Sequence, residues 1–202
     1  MTIDIGPVSA VILLVNVALS LTGLMGMPSL IQRCLFRPYF FLRARQYLTP
    51  VSSAFVHADY PHLIFNMITF WMFGIGLERV LGSARFACLY VAGLVLSQLG
   101  TWYKHRNNPD YATLGASGAI SAVLFASIVY MPTQTLIIIP FPFPIPAPLF
   151  AIGYLAYSWW SARQNKGRIN HDAHFGGAVA GLAFVALVDP QAYSRALEQL
   201  GY

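Results

Sequence analysis

Between Asp110 and Arg163 the chain carries no charged side chain at all. Four further stretches, Ile5–Gln32, Tyr60–Leu77, Phe86–Tyr103 and Ala173–Val188, are equally free of charge. Charged residues make up 9% of the sequence and hydrophobic ones 57%, where soluble domains carry roughly a quarter charged. Such a chain cannot cover a surface in water, but lipid can solvate it. A span needs about 20 apolar residues, with a usable range of roughly 17–25. The long central gap is broken by Pro132, Pro140, Pro142, Pro144, Pro146 and Pro148, so it reads as two spans, near 112–131 and 147–162. Lipid permits only helices or closed barrels, and the alternating pattern of a barrel is absent. The expected fold is therefore an all-α membrane protein with six helices in a single domain over 1–202.

The first span, near 6–26, reads as retained rather than cleaved, having no basic n-region and no clear small-residue cleavage site. Two segments stand apart. Residues 28–61 are aromatic and basic, with Phe36, Tyr39, Phe40 and Phe41 among Arg33, Arg37, Arg43 and Arg45. They read as an interfacial loop, rings at headgroup depth and arginines snorkelling outward. Pro140–Pro148 should be extended, a stiff connector into the fifth helix with Pro148 near that helix's start. A short tail occupies 190–202. Cys34 and Cys88 suggest no disulfide scaffold. The net charge of +5 comes without a basic helix or stacking platform; it points to anionic headgroups rather than nucleic acid.

Polar groups inside spans are costly in lipid and therefore informative. His62 and Asn66 stand four apart, on one face of the second span. Ser117, inside Gly115-Ala116-Ser117-Gly118, lies near the head of the fourth span. His174, inside Ala173-His174-Phe175-Gly176-Gly177, heads the sixth. Chain direction alternates at each crossing, so spans two, four and six run the same way. All four polar residues then lie within about two turns of one membrane face. Ser117, Gly118, Ser121 and Ala122 form a slim face on the fourth span, and Gly177 with Gly181 forms another on the sixth, in line with His174. Such faces let helices approach closely in membranes. By spacing alone two readings stand side by side. The glycines and polar residues form a pocket in which Ser117 and His174 act as nucleophile and base, or they only pack and bond one another.

At this point the chain resembles the rhomboid intramembrane serine proteases. The resemblance spans nearly the whole sequence and rests on the six-span layout, His62-xxx-Asn66, Gly115-x-Ser117-Gly118 and His174-xx-Gly177-xxx-Gly181, in the family's order. Gly74-xxx-Glu78-xxx-Gly82 also looks like the family's motif at the far end of the second span. Residues 36–59 look like its embedded first loop, without the frequent Trp-Arg pair. Ser121 stands where some members carry a tyrosine that stacks on the histidine, and a hydroxyl cannot replace that stacking.

The resemblance implies a serine endopeptidase with a dyad, Ser117 as nucleophile and His174 as general base and acid. His62, Asn66 and the Ser117 amide would hold the oxyanion. The implied substrates are transmembrane helices with easily unwound residues near the cut, in a bilayer, without cofactor or metal. A compact prokaryotic member would sit in a bacterial inner membrane, its amino terminus inside and its site opening outward. Loop charges oppose that orientation: Arg33, Arg37, Arg43, Arg45, Lys104, Arg106, Arg163, Lys166 and Arg168 lie on the site's face, against Arg79, Arg85 and Arg195.

Other classes fit less well. A zinc protease would want His-Glu-x-x-His, and His57-x4-His62 and His171-x2-His174 lack the glutamate. Two intramembrane carboxylates, for an aspartyl protease, are missing. The paired repeats and broken helices of a transporter are missing too. The rival is a non-catalytic rhomboid-like chaperone or trafficking factor, and such proteins lack the serine or the histidine. Asp172 is expected to cap the sixth helix. Glu78 and Arg79 are expected to form a structural pair, and His57, His105 and His171 to sit at the interface without chemistry.

Overall fold

The computed structural model of the chain describes residues 5–138, 141–164 and 169–202. Pro140, Lys166 and Arg168 lie outside them. The elements are, in order, α1 (Pro7–Met25), α2 (Pro28–Cys34), α3 (Pro38–Arg43), α4 (Thr49–Ser52), a 3₁₀ turn (Ser53–Phe55), α5 (Tyr60–Leu81), α6 (Ser83–His105), α7 (Ser117–Tyr130), β1 (Thr135–Ile138), β2 (Phe141–Pro146), α8 (Ala147–Gln164), α9 (His171–Val188) and α10 (Gln191–Gln199). The protein is an all-α membrane bundle. Four helices, α1, α5, α6 and α9, are long and apolar enough to cross a membrane. Helices α7 and α8 take the places of the fourth and fifth expected spans.

Apolar side chains face outward on the outer helices: Leu14, Phe65, Met72, Val91, Ile152 and Leu187 are all exposed. That is the pattern of a surface solvated by lipid. The inside is organised around α7, which is buried at every residue from Gly118 to Val129 and packs against α5, α6, α8, α9 and α10. At 1.5 Å per residue, its 14 residues span only about 21 Å. The rest of the expected fourth span, from about 112, forms a non-helical approach to Ser117.

Close packing explains the glycine pattern. A Cβ on Gly177 would run into the Gly118 carbonyl, and one on Gly181 into the Ala122 carbonyl. Side chains larger than hydrogen would therefore hold α9 off α7. The turn between α5 and α6 needs Gly82, whose φ is +74°, a region that L-residues avoid. Glu78, one turn earlier, accepts from the Val8 amide (3.1 Å), the Ser9 amide (2.7 Å) and the Ser83 hydroxyl (2.7 Å). It thereby satisfies free donors at the start of α1, a wider role than the expected pairing with Arg79.

The proline-rich connector is extended as expected. Its β2 pairs antiparallel with β1, Thr135 opposite Pro146 and Leu136 opposite Ile145, a partnership the sequence did not disclose. Helix α8 begins at Ala147 with Pro148 in its first turn, where proline's missing amide costs nothing. The first loop is also built rather than free. Phe36 and Thr113 exchange backbone hydrogen bonds (3.0 and 2.9 Å), and Arg43 donates to the Arg106 carbonyl at 2.8 Å.

Candidate active site

Ser117 is the first residue of α7. A helix's first amides have no partner within the helix, so the Ser117 N–H projects ahead of the helix. The approach to it is tied down residue by residue. Gly115 has φ +110° and donates its amide to the Ser53 carbonyl (2.8 Å). A Cβ at Gly115 would lie 2.6 Å from the His62 ring, so the imidazole of His62 rests on the backbone two residues before Ser117. The next amide, Ala116, donates to His57 Nε2 at 3.5 Å. That bond leaves the proton of His57 on Nδ1, which donates to Ser20 Oγ at 2.9 Å. Ser20 in turn reaches the Phe55 carbonyl at 3.4 Å.

His57 is fully buried within the protein and packs edge-on against His62, with ring centroids 4.9 Å apart. Burial first, and the His62 ring second, push its pKa down to about 3, against an upward pull from Asp59. His62 lies in the first turn of α5, where the Asp59 side chain caps the helix by accepting from the His62 amide (2.8 Å). Asn66 follows one turn later, buried, and gives one amide hydrogen to the His62 carbonyl (2.9 Å). A carboxamide has two such hydrogens, and the second has no partner among the described residues.

The partner helix arrives from the other side. Gly118 faces both α6, where a Cβ would strike Ser97, and the Ala173 carbonyl of α9, 3.4 Å from that Cβ. A methyl group on the residue after Ser117 would thus just reach the residue before His174. His174 is half-buried, and no hydrogen bond joins it to Ser117 among the described residues; the bond between a nucleophile and its base commonly tightens only around substrate. The ring of Tyr154, from α8, lies nearly parallel to the His174 imidazole (20°, centroids 6.3 Å apart). His171, one turn earlier on α9, is buried with Nδ1 unpartnered and packs edge-on against Tyr157 (5.4 Å) and His174 (6.0 Å).

The cap of α9 corrects the expectation for Asp172. Asn170 is the cap, its side chain accepting from the Ala173 amide at 3.0 Å. Its amide nitrogen donates to Thr101 and Thr113, both at 3.1 Å. One side chain so fixes the start of α9 to α6 and to the approach to Ser117. Asp172 instead points to α6, pairing with Lys104 (2.9 Å) and His105 (3.0 Å). Lys104 also donates to the Ala162 carbonyl at the end of α8, and His105 stacks on Tyr111 (3.6 Å, 3°). With Asp172 committed there, no carboxylate bonds to His174 among the described residues.

Of the sequence candidates, His62, Gly115, Ser117, Gly118, His174 and Gly177 converge, with Asn66 one turn below His62 and Gly181 one turn below Gly177. Sequence reasoning missed Asn170, Tyr154 and the bridging role of His57. Asn170 carried a signal, an asparagine just ahead of an apolar helix; Tyr154 carried none, lying within an unpatterned aromatic run.

The rhomboid domain matches residues 44–191. The chain belongs to the rhomboid family. Among its relatives, YdcA of Bacillus subtilis (strain 168), whose name carries the family, is 37% identical over 40% of this chain and 39% of its own length. Rhomboid protein 1, mitochondrial, of Saccharomyces cerevisiae is 27% identical over 88% of the chain and 53% of its own length. Presenilin-associated rhomboid-like protein A, mitochondrial, of Danio rerio is 31% identical over 68% and 37%. The chain spans about half or less of the length of these relatives. Rhomboid membership and the apolar helices make it an integral, multi-pass membrane protein.

Proposed function

We propose that this rhomboid is an intramembrane serine endopeptidase working through a Ser117–His174 dyad. The observation that carries the reading is the direct backbone contact of α7 and α9. Gly118 and Gly177 leave no side chain between the helices, so the heads bearing Ser117 and His174 share one site.

In this reading Ser117 Oγ attacks the scissile carbonyl while His174 takes its proton. The imidazolium then returns the proton to the leaving amine, and water repeats the cycle on the acyl-enzyme. The oxyanion is held by the Ser117 amide, the second Asn66 amide hydrogen and the His62 ring, donors fixed before reaction begins. His57 and the φ of Gly115 hold those donors in register.

The short α7 supports an intramembrane site. Its length of about 21 Å falls short of a hydrocarbon core of about 30 Å. With its Tyr130 end level with one boundary, Ser117 lies recessed below the other. A substrate is then a transmembrane segment that unwinds near the membrane face, because a closed helix hides its carbonyls. The reading takes 1–202 as a single six-span rhomboid unit in a bacterial inner membrane, opening to the extracytoplasmic side.

The test is labelling of the purified protein with a fluorophosphonate, which marks an activated serine. Labelling of wild type but not of Ser117→Ala is expected. Absence of labelling in a folded wild-type protein would overturn the reading in favour of a non-catalytic chaperone or trafficking role.

A further inference from the structure

An imidazole that serves as a base must keep one nitrogen aimed at its serine, yet among the described residues no carboxylate holds the other nitrogen of His174. Asp172 is bonded to Lys104 and His105, and the His171 ring meets His174 only edge-on. What does lie along the face of His174 is Tyr154 of α8, tilted by 20° at 6.3 Å, an offset stack. That ring is itself held. Its hydroxyl lies 3.2 Å from the Ser121 hydroxyl, one turn after Ser117 on α7. Phe125 of α7 and Phe150 of α8 each pack on it at 5.5 Å.

We propose that Tyr154 is the positioning residue for His174, with Ser121 as its tether. The proposal rests on the dyad reading and extends it to a residue on a third helix. A flat ring along one face of the imidazole restricts rotation about the Cβ–Cγ bond, confining the ring nitrogens to one plane. The Ser121 hydroxyl fixes the tyrosine's far end to the same helix that carries Ser117. Nucleophile and base are thus referenced to α7 twice, once through the Gly118–Gly177 backbone contact and once through Ser121–Tyr154–His174. Helix α8 buries only Ala147, Ser158 and Ser161, so the orientation of His174 depends on how this lightly held helix seats against α7 and α9.

Two readouts test this, one of which needs no activity. The His174 ring protons, identified by their loss in His174→Gln, should show a ring-current shift in the NMR spectrum of wild type. Tyr154→Leu should remove the shift while the thermal midpoint stays close to wild type. In the same variant the rate of fluorophosphonate labelling should fall about 3- to 10-fold, the scale of losing one aromatic pair, with KM for a transmembrane substrate unchanged. Tyr154→Phe should restore the ring shift and at least half the labelling rate, whereas Ser121→Ala should fall between Phe and Leu. Should Tyr154→Leu fail to fold, Tyr154→Met, whose unbranched chain fills irregular space without a ring, takes its place. Unmoved His174 resonances, or a folded ringless variant that labels at the wild-type rate, would overturn the proposal and leave the protease reading intact. A wild type with the ring shift but no Ser117-dependent labelling would instead overturn the protease reading, and the catalytic role of Tyr154 with it.

Discussion

Gly177 of α9 sits against the carbonyl of Gly118 of α7 so closely that not even a methyl group fits between them. This contact sets the separation of the two helices whose first turns carry Ser117 and His174. Gly181 repeats it one turn deeper, against the Ala122 carbonyl. The first prediction follows. Gly177→Leu should fail to fold, and Gly177→Ala should lower both the thermal midpoint and turnover, because α9 must move away. Gly153→Ala, at a glycine with open space around it, should change neither. A stable, active Gly177→Leu protein would remove the basis for a shared site.

Ser117 and His174 act as one unit in the proposed mechanism. Ser117→Ala and His174→Ala should each abolish nearly all cleavage of a test transmembrane substrate, and the double variant should be little worse. His171 is the control, being buried one turn away on the same face. If His171→Ala abolished turnover while His174→Ala kept it, the base would be His171.

Asn66 separates chemistry from scaffold. It is buried, and among the described residues one of its two amide hydrogens is bonded, to the His62 carbonyl. Asn66→Ala should lower turnover by roughly 10²-fold, the scale of one lost oxyanion donor, with KM and thermal midpoint little changed. A loss confined to KM would move Asn66 from oxyanion binding to substrate binding.

The parts of this arrangement legible in the sequence are those that lipid makes costly or that backbones make tight. Ser117, His174, His62 and Asn66 stood out because polar groups in uncharged runs need a reason. Gly177 and Gly181 stood out because only small residues allow such contact. The rest depended on tertiary geometry. Asp172 looked like a cap because aspartate suits the first turn, yet Asn170 reaches the Ala173 amide and leaves Asp172 to Lys104 and His105. Ser121 looked like a missing support because the ring that stacks on His174 comes from another helix, through a contact between residues 154 and 174. No local pattern encodes such a pairing. Nor could spacing tell that His57 turns inward to Ala116, since only the folded first loop brings it there.

His57 yields a pH prediction. Its Nε2 accepts from Ala116 only when unprotonated, and the folded protein holds its pKa at about 3, against 6.5 for a free histidine. Between these values the unfolded chain binds a proton that the folded one refuses. The stability this contributes is therefore complete above about pH 6.5 and is lost progressively toward about pH 3. The thermal midpoint of wild type should fall between pH 7 and pH 4, and it should fall less steeply in His57→Gln. Parallel slopes for the two proteins would mean that His57 does not carry a buried neutral ring.

Orientation in the membrane pits charge against family, and the structure bears on the conflict. Of the nine basic residues counted on the face of the site, Arg43, Lys104, Arg106 and Arg163 are engaged by neighbouring groups. Arg43 donates to the Tyr39 and Arg106 carbonyls and lies over the Tyr39 ring at 4.2 Å. Lys104 is paired with Asp172. Arg106 lies over Tyr103 at 4.5 Å and Arg163 over Trp159 at 3.6 Å. The opposite face holds a pair of the same kind, Arg195 with Asp189, and acidic partners contribute little to the charge bias, so the count still favours a cytoplasmic site. Against that count, the proposed orientation remains the family's, amino terminus inside and site outward. In a variant with Cys34→Ser and Cys88→Ser, Asn108→Cys should react with an impermeant maleimide in intact cells and Gln134→Cys should not. Both positions are exposed, so protection reports the membrane side rather than burial. Labelling at 134 with protection at 108 would mean that the loop charges govern after all and that the site opens to the cytoplasm.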